Sequence, residues 1–272
     1  MTGYSKKLFY INSRNRESGT DSDFGYELDF KAFNPTHCVV LQANIPKSFY
    51  VCRAGYNTFQ ITEANISGNT TTTVTVPAGT YTRQSFMSTL QSQLTLSSAY
   101  NYTYTMSIPT IASASDTGKY SFTMSGNSGY QSTIITAARP NNMFELLGFN
   151  ESSSNTFVAN TLTSANVNKL FSEDSIFIHS DLVGGITNNI LQEIYSVNSA
   201  DFSNIVFQNF AIEQYEKEIV GIGCNNYRFY LMNEDNETID LNGLNWSLTL
   251  CCYKKDNTNE LLQQYIKHTM TS

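Results

Sequence analysis

Apolar and polar residues alternate one for one along much of this chain. In "FGYELDF" (24–30), Phe24, Tyr26, Leu28 and Phe30 are separated by Gly25, Glu27 and Asp29. "YTYTMSI" (102–108) spaces Tyr102, Tyr104, Met106 and Ile108 with Thr and Ser, and "YSFTMS" (120–125) does the same with Tyr120, Phe122 and Met124. Near the end, Trp246, Leu248, Leu250 and Cys252 alternate with Ser247, Thr249 and Cys251. A period of two puts one set on a packed face and the other on a polar face, so each run predicts a strand. Further strands are predicted at 8–11, 37–45, 72–76, 175–183, 191–197, 203–210, 216–222 and 227–232. Many short strands without regular helices between them predict a sandwich or barrel, not a parallel α/β sheet.

Three segments break the rhythm. "TRQSFMSTLQSQL" (82–94) carries Phe86, Leu90 and Leu94 four apart, with Thr82 placed as N-cap, which predicts an amphipathic helix lying on a sheet. "NNMFELLGF" (141–149) predicts a shorter helix stopped by Gly148. "TNELLQQYIKH" (258–268) aligns Leu261, Leu262, Tyr265 and Ile266 on one face, a stripe suited to docking on this subunit or on a neighbour. Residues 63–165 are rich in Ser, Thr, Asn and Gly and poor in Lys and Arg. The expected layout is therefore an all-β frame, 1–62 and 166–257, interrupted by a small α+β subdomain at 63–165 and followed by a helical tail, 258–272.

Composition sharpens this picture. Only 14% of residues are charged, against 40% hydrophobic, and the chain carries 17 Tyr and 17 Phe. Little charge with many aromatics suits half-buried pleated surfaces, and a charge-poor exterior repels neighbouring copies weakly. A net charge of -7 without a basic block argues against direct nucleic-acid binding. No apolar run is long enough to span a bilayer, and "MTGYSKKLFYINS" lacks the apolar stretch of a signal peptide. The five Cys, at 38, 52, 224, 251 and 252, have no C-x-x-C spacing and read as reduced, mostly buried thiols.

The candidate chemistry dissolves on inspection. The acidic knot "NEDNETIDLNG" (233–243) lacks the alternating ligand positions and flanking helices of a calcium loop, so it is expected to be a solvated hairpin tip. "GNSGY" (126–130) resembles a nucleophile elbow but has Gly129 in the wrong place and no helix after it. The three histidines, His37, His179 and His268, and the scattered Cys show no zinc spacing. No catalytic, cofactor-binding or metal-ligating residue is expected. Arg14 and Arg16, in the loop between the first two strands, are candidates either for ion pairs with Asp21 or Asp23 or for a contact with another subunit.

The order of the pieces adds a resemblance. "LFYINSRNRESGTDSDFGYELDF", "QANIPKSFYVC", "VPAGTYTRQSFMSTLQSQL", "ELLGF" and "FYLMNEDNETIDLNGLNWSLTL" together resemble the penton, or minor capsid, proteins of virophages and polinton-like viruses. The resemblance implies a single jelly-roll β-sandwich, non-enzymatic, five copies of which close the vertices of an icosahedral capsid. The implied partners are sister copies in a homopentamer and trimers of a double-jelly-roll major capsid protein, with a host surface receptor as a further contact. The implied location is the virion, after assembly in host cytoplasm. Arg14, Arg16, Leu261, Leu262, Tyr265 and Ile266 are the subunit-interface candidates. Two other readings stay open from the residues: a receptor- or glycan-binding vertex module, and a carbohydrate-active β-sandwich using Glu193 and Asp201.

Overall fold

A computed structural model describes residues 6–30, 33–109, 116–171, 173–184, 189–197, 199–211, 214–220 and 225–255. The chain forms two compact units, one of Met1–Phe49 with Glu173–Ser272 and one of Tyr50–Ser172.

Strands are numbered along the chain. The first unit contains β1 (Lys6–Asn12), β2 (Ser18–Gly19), β3 (Asp23–Glu27), β4 (His37–Pro46), β12 (Ser175–Ser180), β13 (Ile190–Tyr195), β14 (Asn204–Gln208), β15 (Lys217–Glu218), β16 (Asn226–Met232) and β17 (Ser247–Tyr253). They build two antiparallel sheets, ordered β1-β17-β4-β14 and β13-β12-β16-β3-β2, with β15 pairing to β4. With the two-residue β2 and β15 set aside, the first strand pairs with the last, and successive strands alternate between the two sheets except for β12 and β13, which are neighbours in one sheet. That order is the jelly roll. The all-β sandwich expected from the alternation is present.

The inward set of each strand merges into one core. Ile11, Val40, Ile45, Leu248 and Leu250 come from the first sheet, and Phe24, Ile176, Ile178, Phe229 and Leu231 from the second. Phe24 stands edge-on to Trp246 at 5.6 Å, and Phe9 edge-on to Phe30 at 5.3 Å, which ties β1 and β3 at one side of the sandwich. At the other side the buried Lys47 ammonium donates to the carbonyls of Ser196 and Ser199, at 3.2 and 2.7 Å, and so fastens the β13–β14 connection to the end of β4. A buried ammonium needs such acceptors, because an unpaired one is strongly penalised.

The second unit has its own core. One sheet is β10 (Ser154–Thr156), β9 (Ser132–Ile135), β5 (Thr58–Asn65) and β6 (Gly68–Thr75); the other is β11 (Thr161–Thr163), β8 (Ser121–Ser125) and β7 (Thr103–Ser107). The helix α1 (Arg83–Ser97) starts at Thr82, whose side chain accepts from the Ser85 N–H, and it buries Phe86, Met87, Leu90 and Leu94. The five-residue α2 (Met143–Leu147) ends at Gly148, left-handed at φ 74°. A small α+β unit is thus inserted between β4 and β12.

Several details differ from the sequence reading. The unit runs over 50–172 where 63–165 was expected, because β5 went unseen. Its inward positions are Phe59, Ile61 and Glu63, and a buried Glu hides the alternation. Of the strand expected at 216–222, the described residues form only the two-residue β15. The expected tail helix at 258–268 lies outside the described residues.

Candidate functional site

The acidic knot is organised by one buried amide. Asn233 accepts the N–H groups of Asp235 and Glu237 on its Oδ1, at 3.0 and 2.9 Å, and its Nδ2 donates to the carboxylates of Glu173 and Glu237, at 3.3 and 3.2 Å. Ile239 and Leu241 then return the chain to the core. Glu234 and Asp235 point to solvent, and no group of three metal-ligating side chains occurs among the described residues. The knot is the wet connection between β16 and β17, as its turn-forming Asn and Asp predicted.

The remaining candidates are each tied to separate structural partners. Ser128 sits in a left-handed turn (φ 48°) between β8 and β9. The His37 ring lies 5.9 Å from Tyr253, stacked, and its Nδ1 pairs with the Thr36 hydroxyl. His179 is stacked on Tyr230 at 5.0 Å and pairs with Asn189 Oδ1 at 2.8 Å. His268 lies outside the described residues. Glu193 accepts from the Ser175 hydroxyl at 2.9 Å, while Asp201 faces Lys47 at 3.7 Å, so different groups hold the two carboxylates of the glycosidase reading. Burial pushes the Cys38 and Cys52 thiols up to about 12, which keeps them protonated and unreactive at neutral pH.

A depression of about 340 Å³ beside β2 and β3 is charged but internally compensated. The Arg228 guanidinium donates two bonds to Asp23, at 2.7 and 2.6 Å, and lies 4.4 Å over the Tyr230 ring. The hydrogen bonds that Arg228 donates to Asp23 raise its pKa further. Asp23 is therefore committed to Arg228 and Asp21 accepts from the Gly243 N–H, so neither pairs with Arg14 or Arg16 as one sequence reading held. Arg16 instead clasps its own loop, donating to the carbonyls of Ser13 and Gly19 and to Asn245 Oδ1. Arg14 is exposed, and its side chain has no partner among the described residues. Leu261, Leu262, Tyr265 and Ile266 lie outside them.

The surface that sequence reasoning missed is on the first sheet of the jelly roll. A depression of about 350 Å³ crosses its outer face, with Tyr10 on β1 at one rim and Val206 on β14 at the other. Between them the floor is neutral: Asn12, Ser247, Thr249, Gln42, Asn44 and Gln208. Tyr10 is 72% exposed and Val206 65%, and Phe202 and Phe210 at the two ends of β14 are 71% and 92% exposed. The signal was in the sequence. "LFYI" (8–11) and "IVF" (205–207) are apolar at consecutive positions, so both faces of these two strands are apolar, and both are edge strands of one sheet.

The inserted unit offers the opposite surface. Cross-strand register brings Thr71, Thr62, Thr133 and Thr156 into one row over four strands. Their hydroxyls pair with each other, Thr62 with Thr71 at 2.8 Å and Thr133 with Thr156 at 3.0 Å. This face is charge-free and largely self-satisfied.

Comparison with known proteins yields little. No protein-family model matches the chain, and no curated protein does. Among solved structures, the crystal structure of the selenomethionine-labelled mavirus penton protein is similar over 93% of this chain and 100% of that one, with 13% identity and a TM-score of 0.49.

Proposed function

We propose that this chain is a structural virion protein that closes the vertices of an icosahedral capsid as a homopentamer. One observation carries the reading. The two edge strands of the first jelly-roll sheet, β1 and β14, expose apolar side chains at opposite ends of that sheet: Leu8 and Tyr10 on one, Val206 with Phe202 and Phe210 on the other. Isolated exposed hydrophobics need no explanation, but two groups at opposite edges do. A contact that joins one edge to the other edge of the next copy is heterologous, and a heterologous contact whose rotation closes makes a ring. A low charge content weakens repulsion between the copies.

The structural ties of Glu193, Asp201, His37 and His179 and the burial of Cys38 and Cys52 support a structural role. In this reading the ring sits among trimers of a double-jelly-roll major capsid protein, assembled in host cytoplasm, and Arg14 is available to the same contact as Leu8 and Tyr10. Light scattering of the purified protein, alone and mixed with the major capsid protein, tests it. The reading expects a species of five copies in at least one of the two, reduced by Val206→Asp. A monomer in both, not taken up into particles, defeats it.

A further inference from the structure

The outer face of the first jelly-roll sheet carries a block of hydrogen-bonding side chains that the fold leaves unpaired. Ile11, Ala43, Ile205 and Leu248 point into the core, so their neighbours along each strand point out. Register places Tyr10, Thr249, Gln42 and Gln208 in one cross-strand row, and Asn12, Ser247, Asn44 and Val206 in the next. The rows lie about 7 Å apart and the strands about 4.8 Å apart. Gln42, Asn44, Gln208, Ser247 and Thr249 make no side-chain hydrogen bond among the described residues, and none of the residues lining the depression is charged. The Thr face of the inserted unit is the contrast: it is also free of charge, but its hydroxyls bond each other.

We propose that this depression binds an uncharged glycan, with one sugar ring stacked on Tyr10 and its hydroxyls bonded by Gln42, Asn44, Ser247 and Thr249. An amide side chain both donates and accepts, and so does each hydroxyl of a sugar, whose hydrogen rotates to suit its neighbour. Tyr10, 72% exposed at the rim, offers an apolar ring face to the C–H side of a pyranose while its hydroxyl stays wet. The volume of about 350 Å³ lies within the range of about 300–1,000 Å³ typical of small-molecule sites. The lack of charge sets the class of ligand: a sialylated or sulfated sugar meets no cation among the lining residues, so its desolvation goes uncompensated. A protein surface fits less well, because its fixed polar groups must match five unpaired side chains at once or leave them buried and unsatisfied. Gln42, Asn44, Ser247 and Thr249 stand on β4 and β17, the interior strands of the sheet, whereas β1 and β14 carry the edge contact. Only Tyr10 is common to both, so the amides separate this inference from the ring.

Full-length protein is tested on immobilised neutral oligosaccharides of glucose, galactose, mannose and N-acetylglucosamine, with sialylated and sulfated counterparts alongside. Saturable binding to at least one neutral sugar is expected, competed by the same sugar free in solution. Gln42→Ala with Asn44→Ala should weaken it at least about fivefold, since each lost hydrogen bond costs about two- to tenfold. Tyr10→Ala should abolish binding and Tyr10→Phe should retain it, because stacking needs the ring and not the hydroxyl. All three positions are exposed, so folding is not at stake. Light scattering of the amide variant keeps the ring apart: the number of associated copies should stay as in the unaltered protein. No binding to any neutral sugar, binding to charged sugars alone, affinity indifferent to the amides, or association lost together with binding would each overturn the proposal.

Discussion

Replacing Tyr104 by Phe tests whether a buried carboxylate organises the inserted unit. Glu63 is 1% exposed at an inward position of β5. Its Oε1 accepts from the Tyr104 hydroxyl at 2.6 Å and its Oε2 from the Ala99 N–H at 2.7 Å. Burial, together with the hydrogen bond to Glu63, drives the Tyr104 pKa upward. Removing the donor of this buried hydrogen bond leaves a buried carboxyl oxygen unsatisfied, at a cost of about 1–3 kcal/mol. Tyr102 is an internal control on the same strand region: its hydroxyl donates at 2.7 Å to a neutral acceptor, the Ala64 carbonyl. Tyr102→Phe should therefore cost only about 0.5–1.5 kcal/mol. Urea unfolding gives the free energies, and hydrogen exchange at the amides of Ile61, Glu63 and Thr133 places the loss in β5 and β9. Tyr104→Phe costing no more than Tyr102→Phe would show that the carboxylate does not organise this core.

Alkaline pH should erode stability before the tyrosines of an unfolded chain titrate. Cys38 and Cys52 are raised by burial from 9.0 to about 12. Between those values the unfolded chain has lost protons that the folded chain retains, so their contribution is complete below pH 9 and falls as pH rises towards 12, by about 1.4 kcal/mol per pH unit for each thiol. Thermal melts from pH 8 to 11 should fall steadily, and a Cys52→Ala variant should fall less steeply; a flat profile contradicts the assignment. Gly148→Ala should destabilise by more than about 1 kcal/mol in urea, because φ is 74° and a Cβ would stand 2.5 Å from the Asn166 carbonyl oxygen. A neutral outcome there would mean that the α2 terminus yields without strain.

The strands were legible wherever a packed face and a wet face alternate, as in Trp246 to Cys252, and the helix at Phe86, Leu90 and Leu94 was legible from its spacing. β5 was not, because Glu63 occupies an inward position and its partners, Tyr104 and the Ala99 N–H, are distant in sequence. That one oversight moved the expected boundary of the insertion. The jelly-roll order was likewise hidden: β1 pairs with β17 across nearly the whole chain, and alternation carries no record of partner. The proposed contact surface was half legible. Consecutive apolar residues at 8–11 and 205–207 were visible, but only the sheet order shows that both belong to edge strands.

Cross-linking between those edges tests the central claim most directly. A variant with Tyr10→Cys and Val206→Cys is treated with a short bis-maleimide; within one copy, three strand spacings of about 14 Å separate the positions, beyond a short linker. Joining opposite edges of successive copies predicts a ladder of two, three, four and five cross-linked chains that stops at five, in the purified protein or in assembled particles. A product that stops at two copies, or no cross-linked product in either setting, would contradict it.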